Sequence, residues 1–469
     1  MGLYHRFLRT VALPLGARLA GYQAVWPYLR QLEASQWWSL EQLRALQNAK
    51  LRRLIAHVYE HVPFYREVMD ARGLRPEDIR TTDDLELLPI VDKHVITANY
   101  REALRDHSLP TAQLIPASSS GSTAERLHYW TTKTQKAKKW AGLFRWWEMV
   151  GYRFGDPYFT FQLAGNRGLR GIPVLEKLEW VMLRHRWLSA QQMTDEILAE
   201  YVRQLDRYRP VLFRSYASTV YYLACFMRRE GLRVPIPAIL TTGETLSEDM
   251  RRTIEEAFAP GRVYNEYGGD GMQIACECEY HQGLHINAET YIVEIVRDGR
   301  RVPEGELGEI VLTNLEATAT PFIRYNIHDV GALDLSPCPC GRGLPRLSRL
   351  EGRLTDLFLT ADRHWLTVHQ FTAFFAKIPA VKAFQVIQRQ VDDVLIRLVV
   401  DETFSEADHR RILETFRGYL GPNNRFTLEF VDEIPTTPAG KRRFFISEVI
   451  ETTATAATVA LPDRPGASS

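Results

Sequence analysis

The chain has 469 residues, 45% apolar and 25% charged, with a formal net charge of +1. That length supports a large core and more than one domain, and the near-zero charge excludes the strong basic excess of a dedicated nucleic-acid binder. No apolar run reaches the roughly 18 to 20 residues that a membrane-spanning helix needs.

The first stretch, MGLYHRFLRTVALPLGARLAGY, is apolar but carries four basic side chains: His5, Arg6, Arg9 and Arg18. This pattern predicts an amphipathic helix resting on the protein, with weak membrane-surface contact as the alternative. Arg9 and Arg18 interrupt the apolar run of a signal peptide, and Arg6 stands where a myristoylation motif has Ser or Thr. Residues 40 to 60 place apolar groups at helical spacing, and His61-Val62-Pro63-Phe64-Tyr65 ends that helix. Thr81-Thr82-Asp83-Asp84-Leu85 reads as a helix cap. A hydroxyl-rich loop follows at 118 to 126, then a Trp-rich helix at 132 to 150 and a strand at 157 to 163.

Helices at 194 to 208, 218 to 230 and 247 to 258 alternate with strands in PVLFRSY, PAILTTGE and GRVYNEYGG, and ETYIVEIV is a further strand. The alternation predicts an α/β domain with mixed, largely parallel sheets, whose ligands sit at the carboxyl ends of strands. Past Gly352 the pattern changes: VKAFQVIQRQ, DDVLIRLVV, a helix at 405 to 420 and FTLEFVDEIP form a small α+β unit. Residues 451 to 469 lack periodicity and read as a disordered tail.

Five segments invite a chemical reading. They are SSSGSTAER (118–126), TTGETL (241–246) with NEYGGDG (265–271), GELGEIVLTNLEATATPFIRYNIHDVG (305–331), LEGRLTD (350–356) and IPTTPAGKRRFF (434–445). Singly, each has a plain reading. The first is a polar turn, Tyr267 a core aromatic, Asp329 a cap, and Lys441 the tip of a solvated basic turn. Cysteines add a sixth signal. Cys225 stands alone as a core thiol, whereas Cys276, Cys278, Cys338 and Cys340 form two Cys-x-Cys pairs. Such pairs suggest a metal before a disulfide.

In this order and spacing the segments resemble the adenylate-forming superfamily of acyl- and aryl-CoA synthetases, luciferases and carrier-protein adenylation domains. Over residues 40 to 450, with HVPFYREVM and LPIVDKHVI, the chain is most similar to the phenylacetate–CoA ligase branch and its capsular-polysaccharide relatives. The resemblance implies a 1–352 adenylation domain and a small mobile α+β C-terminal lid at 353–450. Ser119, Ser120, Gly121, Ser122 and Thr123 resemble the loop that holds the ATP phosphates. Ala124 and Arg126 depart from that loop's Gly and Pro. Gly243 and Glu244 resemble the adenine-side strand end, Tyr267 with Gly268 the aromatic turn on adenine, and Asp329 the carboxylate that takes both ribose hydroxyls. Arg353 resembles the Arg near ribose and phosphate, with Thr355 at the hinge. Lys441 resembles the catalytic Lys that reaches the substrate carboxylate and the α-phosphate. The family's Mg²⁺-binding Glu is replaced by Gly271, leaving Asp270, one residue earlier, as the remaining carboxylate.

Some relatives carry a structural zinc on segments that here read Glu277-Cys278…Gly283-Leu284-His285 and Cys338-Pro339-Cys340-Gly341-Arg342. The implied ligands are Cys278, Cys338, Cys340 and His285, with His281 and Cys276 competing for the fourth place. The implied reaction is ATP- and Mg²⁺-dependent adenylation of an aryl or fatty acid in the cytoplasm, followed by transfer to CoA. An amine acceptor is the alternative, and a catalytically weak nucleotide-binding or interaction protein, with homodimer formation open, is another. Trp140, Phe144, Trp146, Tyr158, Phe161 and Tyr216 supply aromatic surface for an acid pocket or simply for a core.

Overall fold

The computed structural model describes residues 2–118, 127–162, 180–189, 195–269, 271–353, 358–359, 365–366, 374–375, 378, 380–421, 424–434 and 444–448. They fall into two compact units. The first runs to Leu350, apart from Ser247–Asp249, and the second begins at Glu351. The phosphate-loop residues 119–126, Asp270, Thr355, Lys441 and the 451–469 tail lie outside the described residues.

In the first unit a parallel sheet is built from β3 (Tyr158–Gln162), β4 (His185–Ser189), β5 (Leu212–Tyr216), β6 (Ala238–Thr242) and β7 (Arg262–Tyr267). Helices Ala217–Arg229 and Glu248–Ala257 provide the crossovers that parallel pairing requires. Neighbouring strand residues point to opposite faces. Phe159, Phe213, Ile239 and Val263 pack with the crossover helices. Tyr158, Leu212, Ala238 and Tyr264 pack against the N-terminal helices and the helix Lys133–Met149.

The sheet is mixed, as expected, but among the described residues its parallel pairing is confined to the β3–β7 half. After β7 the sheet continues through β8 (Ala275–Glu277), β9 (Leu284–Ile286), β10 (Tyr291–Arg297), β11 (Arg300–Arg301), β12 (Gly308–Asn314), β13 (Tyr325–Asp334) and β14 (Arg346–Arg353). The spatial order is β11-β10-β12-β13-β14-β9-β8-β7-β6-β5-β3-β4. The β7–β8, β8–β9, β9–β14, β12–β13 and β10–β12 pairs are antiparallel. No helix occurs among the described residues between Tyr267 and Arg346, so these short links cannot make crossovers and the strands turn back on themselves. The helices Leu40–His61 and Pro63–Ala71 cover this half. The hairpin of β1 (Ile115–Ser118) and β2 (His128–Thr131) pairs Ser118 with His128 and so fixes both ends of the hydroxyl-rich loop.

The second unit has β15 (Phe358–Leu359) paired with β16 (Trp365–Leu366), and a four-stranded sheet. That sheet has the order β19-β18-β17-β20, from β17 (Val381–Gln390), β18 (Asp393–Val400), β19 (Arg425–Phe430) and β20 (Phe445–Ser447). Helix Glu406–Leu420, capped by Ser405, contributes Ile412 and Phe416 to a core with Val386, Ile396 and Phe445.

Candidate functional site

The carboxyl ends of β6 and β7 lie side by side, where an α/β sheet binds ligands. β6 runs into Gly243, whose φ of 73° needs glycine's freedom, and then Glu244. The Glu244 carboxylate accepts the Ser218 N–H at 2.7 Å at the start of helix Ala217–Arg229, which locks this loop to the helix N-terminus. β7 ends at Tyr267, buried, with its hydroxyl donating to Asp329 Oδ2 at 2.7 Å.

Beside Asp329 the strand β13 is deformed. Val311 pairs with Asn326 and Glu309 with Val330, so one residue of β12, Ile310, opposes three of β13. His328 sits in this bulge at φ 61°, held by its N–H to Asn326 Oδ1 at 2.8 Å. Bulges of this kind re-aim a side chain. Nothing in the sequence signalled it, since His328 reads as an ordinary strand residue.

Gly268 admits no larger residue, because a Cβ would lie 2.5 Å from the Met272 carbonyl oxygen. Gly271 has φ 79°, and a Cβ there would lie 2.1 Å from the Tyr129 hydroxyl. The space that a longer side chain at 271 would enter is therefore taken by Tyr129. Arg353 closes β14. Sequence reasoning also missed a charged pair at this end of the sheet. Arg214 on β5 grips Glu266 on β7 through two hydrogen bonds of 2.8 and 2.6 Å. Burial and the Arg214 charge hold the Lys139 ammonium below its ordinary range. Lys139, Lys136, Tyr129, Trp130 and Gly271 line a cavity of about 90 Å³.

The six aromatics offered for an acid pocket do not converge. Phe144, Trp146 and Tyr158 belong to the core on one face of the sheet, and Phe161 to the core on the other. Trp140 is exposed. Alternation along β3 separates Tyr158 from Phe161, which helical or strand spacing alone did not reveal.

A second cluster is better defined. Cys278 follows β8, His285 lies in β9, and Cys338 and Cys340 lie between β13 and β14, with their ligand atoms all within 4.8 Å of one another. Cys278 Sγ and Cys338 Sγ are 3.7 Å apart, and Cys340 Sγ and His285 Nε2 are 3.4 Å apart. A tetrahedral zinc with ordinary bond lengths sets sulfurs about 3.8 Å apart and sulfur and nitrogen about 3.6 Å apart, so the donors fit that ion. His285 Nδ1 lies 3.4 Å from the Leu344 carbonyl oxygen, which leaves Nε2 turned to the thiols. Burial pushes the Cys278 thiol up to about 12 and the His285 imidazole down to about 4. Burial also opposes a Cys340 thiolate, but the Arg342 N–H and charge outweigh it and hold that thiol low. The two competing ligands go elsewhere: His281 stacks on Tyr264 and meets Glu277, and the Cys276 thiol reaches the Glu277 carbonyl oxygen.

Comparison with known proteins follows this geometry. Residues 358–448 match the CapK C-terminal domain family. The chain is 26% identical to the protein CapK of Staphylococcus aureus over 419 residues, covering 86% of this chain and 89% of that one. It is also 26% identical to a phenylacetate-coenzyme A ligase of Thermus thermophilus over 440 residues, covering 86% of this chain and 96% of that one. A crystal structure of 2-hydroxyisobutyryl-CoA ligase in the postadenylation state superimposes with a TM-score of 0.70 at 20% identity, covering 89% of this chain and 92% of that chain. The fold is that of adenylate-forming ligases. Along most of its length the chain is similar to phenylacetate-coenzyme A ligases and to CapK.

Proposed function

We propose that the chain is an AMP-forming acid–CoA ligase of the cytoplasm. A carboxylate attacks the α-phosphate of Mg²⁺-bound ATP, releasing pyrophosphate, and the acyl-adenylate then passes its acyl group to CoA with loss of AMP. One observation carries this reading. The Tyr267–Asp329 pair stands at the carboxyl end of the sheet, in a chain that aligns along 86% of its length with a phenylacetate–CoA ligase.

Within this reading Asp329 takes the ribose hydroxyls, and Gly243, Gly268 and Tyr267 shape the adenine side. Ser119 to Thr123 hold the phosphates, Arg353 stands near the ribose, and Lys441 stabilises charge as the carboxylate attacks. Gly271 removes a carboxylate from the Mg²⁺ side, so Asp270 and the ATP phosphates carry more of that ion's binding. Cys278, His285, Cys338 and Cys340 hold a structural zinc that pins the β13–β14 loop to β8 and β9.

The test is pyrophosphate release from ATP across a panel of aryl, aliphatic and hydroxy acids, with CoA or an amine as acceptor. Acid-dependent release and a CoA thioester product are expected. No release with any acid would reject the ligase reading, and release yielding an amide in place of a thioester would move the acceptor to an amine.

A further inference from the structure

The N-terminal 17 residues of helix, Leu3–Phe7, Leu8–Ala12 and Leu13–Leu19, lie on the first unit by one face. Leu8 and Leu13 are buried in its core with Trp26 and Trp147. Arg9 reaches both Glu33 and Glu148, and the Tyr4 hydroxyl donates to the Met182 carbonyl oxygen at 2.6 Å. The other face carries exposed apolar side chains. Leu3, Phe7, Val11, Leu15 and Leu19 form a row at four-residue spacing and are 87, 54, 49, 55 and 69% exposed. Val181, beside Met182, adds another large apolar side chain that is 74% exposed.

Two features show that this row is built. In a regular α-helix each four-residue step turns the row by about 40°, so five such residues spread around the surface. Here the middle segment, Leu8–Ala12, is a π-helical turn. Its wider turn rotates the chain less per residue and sets the row back against that drift. The second feature is charge. Arg6, Arg18 and Arg30 are exposed, and no Asp or Glu occurs before Glu33. A second copy docking here would bring arginines against arginines with no acid in the segment to pair them. An anionic surface would pair them and bury the row at the same time.

We propose that this face is a docking surface for an anionic lipid bilayer, with the helix lying in the plane of the headgroups. Leu3, Phe7, Val11, Leu15 and Leu19 enter the acyl boundary while Arg6 and Arg18 meet lipid phosphates. The inference is independent of the ligase reading.

The experiment is co-sedimentation of the full chain with phosphatidylglycerol/phosphatidylcholine vesicles and with phosphatidylcholine alone. Retention by the anionic vesicles is expected, and it weakens at about 0.5 M salt. The double variant Phe7→Glu/Leu15→Glu and the double variant Arg6→Gln/Arg18→Gln are each expected to lower retention at least about tenfold, with unchanged melting temperature because all four side chains are exposed. Equal retention by both vesicle types, or none, overturns the proposal. So does a dimer of the wild type that Phe7→Glu/Leu15→Glu converts to monomer without altering vesicle retention, since a second copy would then cover the face.

Discussion

The Tyr267 hydroxyl donates to Asp329 Oδ2 at 2.7 Å across 62 residues of sequence. It joins the end of β7 to the bulge in β13, and the bulge depends on His328 in a left-handed conformation. Asp329→Asn keeps the shape and removes the charge. A hydrogen bond to a charged group is worth about 1.5–3 kcal/mol, so AMP affinity by calorimetry should fall about 10- to 100-fold. His328→Gly should keep the melting temperature, whereas His328→Val should cost about 1–3 kcal/mol and weaken AMP binding too. Unchanged affinity in Asp329→Asn would remove this carboxylate from the nucleotide site.

Lys441→Ala should reduce acyl-adenylate formation at least about 10²-fold, the scale of losing one preorganised charge contact, while the melting temperature stays the same. Pyrophosphate release at the wild-type rate would take Lys441 out of the first half-reaction.

Elemental analysis of the purified protein should find about one zinc per chain. Cys338→Ser with Cys340→Ser should lose it and lower the melting temperature, as should a strong chelator. Stable wild-type protein prepared without chelator and free of metal would leave the four residues as core.

Arg145 is buried and grips Glu289 with hydrogen bonds of 2.7 and 3.1 Å, while Ser35 also donates to that carboxylate. Arg145→Met strands Glu289 and should cost about 3–5 kcal/mol in urea unfolding. Adding Glu289→Leu should recover much of that loss. An additive double variant would show that the two side chains stabilise the fold separately.

His185 stacks on Tyr158 at 4.3 Å, and burial holds its imidazole down to about 4 from an ordinary 6.5. The unfolded chain therefore takes up a proton near pH 6.5 and the folded chain only near pH 4. Stability is complete above 6.5 and falls as pH drops toward 4, by roughly 3 kcal/mol at about 1.4 kcal/mol per unit. Urea midpoints of the wild type and His185→Gln across this range should converge at low pH. Parallel curves would assign the acid sensitivity to other groups.

The sequence by itself determined the α/β class and the resemblance to adenylate-forming enzymes. Helical and strand periods are local, and ordered motifs such as TTGETL, NEYGG and the run to Asp329 need no coordinates to be seen. It also singled out four cysteines in two pairs. What it left open was which histidine or thiol completes the set, because His281, His285 and Cys276 all lie within a few residues of Cys278. In the structure Cys278 and His285 gather with Cys338 and Cys340, while the Cys276 thiol reaches the Glu277 carbonyl oxygen and His281 meets Tyr264 and Glu277. Tertiary structure decided as well that the aromatics offered for an acid pocket do not line one pocket, since strand alternation sends Tyr158 and Phe161 to opposite faces. The antiparallel half of the sheet, the Arg214–Glu266 pair and the His328 bulge were also beyond local reading. Each depends on which strands become neighbours, and strand neighbours are chosen by packing between distant segments, not by the propensities of either strand alone.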